Sequence, residues 1–127
     1  MSQSYTMSQL LDIKFTRGDS YTLNVQYESS SGGVLTPIDI TTADIYFTVK
    51  KFKTDSDPGL FQLTVGAGII KSATPTDGKF TVVIPKSATK LLDFGVAFVY
   101  DCVIEIAGGR DTVIAGTLTV DENVTDA

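Results

Sequence analysis

Apolar and polar residues alternate with a period of two through most of this chain. Leu11-Asp12-Ile13-Lys14-Phe15 is the first clear case. Tyr21, Leu23, Val25 and Tyr27 then share one face, with Thr22, Asn24 and Gln26 on the other. Such alternation marks a half-buried strand. Ile45, Phe47 and Val49 repeat it, Phe61, Leu63 and Val65 alternate with Leu60, Gln62 and Thr64, and Phe80, Val82 and Ile84 follow after a short Ile69-Ile70 segment. Turn formers separate these runs: Arg17-Gly18-Asp19, the Ser/Gly stretch 29–33, Asp55-Ser56-Asp57-Pro58-Gly59, Gly66-Ala67-Gly68, Thr76-Asp77-Gly78 and Gly108-Gly109. Pro85 ends its strand because proline cannot donate to a ladder. Segment 87–92 is the one convincing helical piece, with Gly95 to stop it. Turns roughly every ten residues favour an antiparallel β-sandwich over βαβ units. The pattern predicts an all-β fold of about seven to eight strands with one short helix.

Segment 96–106 departs from simple alternation. Val96, Phe98, Tyr100, Cys102, Ile104 and Ile106 make one wholly apolar face, while Ala97, Val99, Asp101, Val103 and Glu105 make a second face that is more than half apolar. A strand of a lone sandwich should be polar outward. The second face is therefore read as a contact surface, with Ala97, Val99, Val103 and Glu105 as candidate interface residues. Asp101 within it must be hydrogen-bonded or paired if buried. It is read as a structural hub, with Arg17 or backbone N–H groups as its partners.

Length and composition narrow the function. The chain has 127 residues, of which 43 % are apolar and 20 % charged. That fits one domain, 1–127, with a core over about 10–120 and polar terminal arms. The net charge is −5 and the isoelectric point about 4.5. Nucleic-acid binding needs clustered cations, and only Lys50, Lys51 and Lys53 cluster here, so no nucleic-acid partner is expected. No apolar run approaches the ~20 residues of a membrane span. The first six residues lack the basic and apolar parts of a signal peptide, so synthesis in a cytoplasm and no membrane partner are expected. Histidine is absent, which removes Ser-His-Asp and Cys-His catalysis and most zinc sites. The single cysteine, Cys102, excludes an intrachain disulfide and reads as an inert core residue.

The remaining motifs have plain explanations. Arg17-Gly18-Asp19 joins two amphipathic strands and reads as a structural turn rather than an adhesion motif. Asp55-Ser56-Asp57-Pro58-Gly59 approaches a calcium loop, but proline spoils it. Gly66-Ala67-Gly68 and Gly108-Gly109 lack the Lys-Ser or Lys-Thr of a phosphate loop. No enzyme, cofactor or metal is expected.

The turns and strand starts nevertheless resemble a family. Arg17-Gly18-Asp19-Ser20-Tyr21 after an opening strand, Pro37-Ile38-Asp39-Ile40-Thr41 before the strand 43–50, and Asp77-Gly78-Lys79-Phe80 leading to Ile84-Pro85 carry the likeness. So do the helical turn 87–92 with Gly95, Phe98 and Tyr100-Asp101, and the closing Ile114-Ala115-Gly116-Thr117-Leu118-Thr119-Val120. Over roughly 13–120 the chain is similar to the immunoglobulin-like β-sandwich of tailed bacteriophages, as at the N-terminus of lactococcal phage upper baseplate proteins. It differs from upper baseplate proteins in lacking their further domains, and is read as a stand-alone component. The resemblance implies an immunoglobulin-like sandwich and a structural virion protein, made in the bacterial host and present in multiple copies. Its partners would be other phage structural proteins at the tail tip or baseplate, or at the neck or collar. Two other addresses stay open: a capsid decoration protein, and a carbohydrate-binding module for host attachment. The latter would need exposed aromatics, for which Tyr5, Tyr46 and Phe94 are the candidates.

Overall fold

A computed structural model describes residues 2–6 and 9–124, with the side chains of 2–6, 9, 10, 30 and 31 left aside. Met1 and the end of the expected C-terminal arm, 125–127, lie outside the described residues. The strands are β1 (Ser2–Thr6), β2 (Gln9–Leu10), β3 (Ile13–Thr16), β4 (Tyr21–Gln26), β5 (Glu28–Ser31), β6 (Val34–Pro37), β7 (Asp44–Lys50), β8 (Phe61–Val65), β9 (Gly68–Lys71), β10 (Lys79–Ile84), β11 (Phe98–Ile106) and β12 (Gly109–Asp121). A single helical turn, α1 (Lys86–Thr89), and a 3-10 turn at Pro75–Asp77 complete them. The all-β reading holds, and the helix overlaps the expected 87–92 segment but is one turn long, starting at Lys86 and ending at Thr89. The strand number is higher than seven to eight because the N-terminal segment splits into three short strands and 28–37 forms a hairpin of its own.

Ten strands join in one sheet: nine follow the path β1-β4-β10-β9-β8-β7-β11-β12-β2, and β3 pairs with β12 beside it. The neighbours β4, β10 and β9 correspond to strands B, E and D of an immunoglobulin domain. The neighbours β7, β11 and β12 correspond to C, F and G, with β8 beside β7 as C′. Most pairings are antiparallel, but β1 on β4, β2 and β3 on β12, and β8 on β9 are parallel. The β8–β9 contact is a tight corner. Gly66 N–H donates to the Ile69 carbonyl (3.0 Å) and Ala67 N–H to the Thr64 carbonyl (2.9 Å), merging two sheets into one.

The core lies between the two halves of this path. Leu23, Val25, Phe80, Val82 and Ile69 from one half meet Ile45, Phe47, Phe98, Cys102 and Leu118 from the other, all buried. Phe15 stacks on Tyr21 at 4.9 Å between centroids, and Phe47 on Tyr100 at 5.3 Å. Tyr100 and Cys102 sit on the F-equivalent strand with the spacing of the tyrosine corner and its cysteine. Here, however, the Tyr100 hydroxyl donates to the Leu11 carbonyl (2.8 Å) and so holds the N-terminal segment. Leu11 crosses close over Gly116, where an added Cβ would stand 2.0 Å from the Leu11 carbonyl oxygen.

Arg17-Gly18-Asp19 is a turn, with Asp19 N–H donating to the Thr16 carbonyl and Gly18 at φ +87°. The wholly buried Thr89 anchors it to α1. Gly18 N–H donates to Thr89 Oγ1 (3.1 Å), and that hydroxyl lies 3.0 Å from the carbonyl oxygens of both Asp19 and Lys86. The Arg17 guanidinium donates to the carbonyls of Lys90 (2.7 Å) and Leu92 (3.0 Å). The triplet is therefore tied into the fold on both sides.

Candidate functional site

The outer face of β7, β8, β11 and β12 forms an open groove of about 870 Å³. Strand register dictates its floor, because residues directly opposite on neighbouring strands share a face. Four rows cross it. Thr117, Val99 and Lys50 form the first, and Ala115, Asp101 and Thr48 the second. Thr112, Val103 and Tyr46 form the third, and Arg110, Glu105 and Asp44 the fourth. Gln62 on β8 extends the second row and donates to Thr48 Oγ1 at 2.9 Å. A register shift between Cys102 and Val103 keeps the rows on one face. The extra residue sends both Val113 and Ile114 inward, so Arg110 and Thr112 before it and Ala115 and Thr117 after it all face outward. Lys53 and Asp57 from the loop 51–60 overhang one end, with Asp57 held by Lys50 at 2.8 Å.

The candidate interface residues therefore part company. Val99, Val103 and Glu105 line the groove, but Ala97 does not. Strand β11 begins at Phe98 rather than Val96, and Ala97 lies exposed in the loop before it. Val103 is only 3 % exposed, within the row it shares with Tyr46 and Thr112. The expected apolar centre thus shrinks to Val99, and the groove is lined by polar and apolar surface in nearly equal measure.

Asp101 corrects the hub reading. The Arg17 guanidinium is spent on carbonyls at the end of α1, and no other described residue hydrogen-bonds the Asp101 carboxylate. Asp101 is half-buried on the groove floor between the short side chains of Thr48 and Ala115. Burial pushes its carboxyl above the usual carboxylate range, against the pull of Arg110 and Lys50 and with the help of Asp57. Cys102, on the opposite face, is wholly buried, and its thiol is pushed up to about 12. It is a core residue with no access to the groove.

A second surface was not read from the sequence. Phe52 (61 % exposed) and Leu60 come from the loop 51–60, and Leu91, Phe94 (51 %) and Val96 from the loop after α1. Both loops lie at the same end of the molecule, since Lys50 ends β7 opposite Val99 near the start of β11, and Gly95 N–H reaches the Val120 carbonyl. Ala97 belongs to this end. The available signal was Leu91 and Phe94 standing outside any alternating run, flanked by Lys90, Asp93 and Gly95. The carbohydrate aromatics do not share one surface: Tyr46 lines the groove and Phe94 lies at the apolar end, while Tyr5 is on β1 with its side chain outside the described part.

Among the described residues, no group of three or more His, Cys, Asp or Glu side chains is placed to hold a metal ion. In Asp55-Ser56-Asp57-Pro58-Gly59, Asp55 accepts from the Phe52 N–H (3.1 Å) and Gly59 N–H donates to the Ser56 carbonyl (2.9 Å), which makes a turn. No protein-family model and no curated protein sequence matches this chain.

Proposed function

We propose that this domain is a non-enzymatic structural component of a tailed bacteriophage virion. It acts as an adaptor that binds other virion proteins at the tail tip or baseplate, or at the neck or collar. The observation that carries the binding role is the apolar end, where Phe52, Leu60, Leu91, Phe94 and Val96 stand exposed on two loops at the same end of the molecule. Exposed apolar clusters of this kind, with a polar surround, mark protein contact surfaces. Lys51, Lys53, Lys86 and Asp93, on the same segments or beside them in sequence, are exposed as well. The phage setting rests on the sequence resemblance across roughly 13–120.

Mass spectrometry of purified virions tests the reading. A copy number of about six to eighteen, the count expected of rings of cyclic symmetry, supports a tail or collar position. Hundreds of copies would make it a decoration protein instead. Absence from the particle would end the virion reading. Phe94→Asp should leave a folded domain that no longer enters particles. Normal incorporation of that variant would remove the apolar end from the account.

A further inference from the structure

The groove is chemically unlike the apolar end. Its volume of about 870 Å³ falls within the range of sites for small organic ligands. Its charges balance: Lys50, Lys53 and Arg110 stand against Asp57, Asp101 and Glu105. A site so balanced draws in neither cations nor anions by net charge. Two of the carboxylates already have neighbours, since Lys50 holds Asp57 at 2.8 Å and Arg110 stands opposite Glu105. Asp101 has cations close enough to act on it through space, yet no hydrogen-bond donor from any other described residue. Its oxygens thus remain open to a donor brought by a ligand.

An incoming ammonium or guanidinium would bring donors but would meet Lys50 and Arg110. An incoming carboxylate or phosphate would meet Asp101 itself. A neutral hydroxyl brings a donor without either penalty, and takes the place of water at an open, half-buried carboxylate. The short side chains of Thr48 and Ala115 on either side leave the Asp101 oxygens open from above. Gln62 and Arg110 offer N–H groups to further oxygens, and Tyr46 and Val99 offer apolar surface to C–H groups. Many hydroxyls on an apolar ring edge describe a sugar. We propose that this groove binds a neutral oligosaccharide, with Asp101 accepting hydrogen bonds from its hydroxyls. The groove adjoins the apolar end through the loop 51–60, which gives Lys53 and Asp57 to the groove and Phe52 and Leu60 to that end, but the two use different side chains.

The test needs only the isolated chain. Amide NMR spectra are recorded during titration with neutral trisaccharides: maltotriose, cellotriose, mannotriose and chitotriose. At least one should give saturable shifts at Thr48, Asp101 and Ala115, with a dissociation constant of about 1 mM or tighter. Asp101→Ala should weaken it at least tenfold while amides outside the groove stay in place. Should that variant fail to fold, Gln62→Ala replaces it, with the same expectation. Free lysine and glutamate should leave the groove amides unmoved. The proposal fails if no trisaccharide shifts these amides, if Asp101→Ala binds as well as the parent, or if lysine binds there instead. Phe94→Asp should keep sugar binding, so loss of the virion role and loss of the glycan role register separately.

Discussion

The two faces of β11 are built from consecutive residues and obey different rules. On the inner face Phe98, Tyr100, Cys102 and Ile104 are all nearly inaccessible and touch the opposite half of the sandwich. On the outer face Val99 and Asp101 are half-buried and Glu105 is exposed, while Val103 alone is buried. Shape fixes the inner face, because close packing leaves no room for change. Pairing fixes the outer face, because what each residue does depends on its row-mates on β7 and β12. An apolar residue on the outer face is therefore no evidence of a sticky surface, as Val103 shows, and a charged one is no evidence of a salt bridge, as Asp101 shows.

Substitution can break that contrast. Ile104→Ala should cost about 2–5 kcal/mol through the cavity it leaves, whereas Glu105→Ala next to it should stay within about 0.5 kcal/mol. Urea unfolding of both variants measures this, and equal losses would mean that the two faces do not differ. Gly116→Ala, opposite Tyr100, probes crowding against the N-terminal segment. Its Cβ would fall 2.0 Å from the Leu11 carbonyl oxygen, so the N-terminal segment must move, at about 1–3 kcal/mol. Gly18→Ala is the reference with open space, its Cβ meeting nothing nearer than 3.9 Å. Only the φ of +87° opposes it, at about 1 kcal/mol. If the two glycine variants melt together, close approach at Gly116 is not what matters.

The smallest effect sharpens the comparison most. Asp101→Asn should change stability at neutral pH by no more than about 0.5 kcal/mol, or raise it, since no hydrogen bond is lost and a half-buried charge is removed. Because burial raises the Asp101 pKa, the folded state holds this proton more tightly than the unfolded chain, whose value is near 3.8. The contribution of Asp101 is therefore fully present below that value and is lost as pH rises through the folded pKa. Asp39 behaves in the opposite sense. Hydrogen bonds from the Thr41 hydroxyl and N–H lower its pKa, so its contribution is lost as pH falls. Unfolding measured from pH 3 to 7 should show the parent losing ground to Asp101→Asn as pH rises. A parent that gains ground would mean that Asp101 is paired after all.

Most of the fold was legible because burial writes itself as alternation. Leu23 and Val25, Ile45 and Phe47, and Phe80 and Val82 all point inward where the period of two placed them. The turn at Gly18 and the helical turn near Thr89 were legible for the same local reasons. The groove was half legible. Tyr46, Thr48 and Lys50 share a face in the sequence, and so do Val99, Asp101 and Glu105, but nothing local says that Thr48 stands beside Asp101. The bulge that turns Val113 and Ile114 inward breaks the alternation of β12 and leaves only a run of two apolar residues as its trace. The apolar end escaped because loops carry no period, and the contribution of Phe94 depends on where the loop 51–60 ends up.

The corner between β8 and β9 has a consequence for survival at high concentration. Two separate sheets would present four bare edges, each a template for pairing with another chain. By pairing β8 with β9, Gly66 and Ala67 remove two of them. The other two fall to one stretch of chain, because β1 lies along the edge of β4 and β2 and β3 lie along β12. Strands β1, β2 and β3 therefore form the outermost strands on both sides of the sheet, and all three are short. A chain trimmed of them would exchange these short edges for the longer β4 and β12, and a long edge is the better template for pairing with another chain.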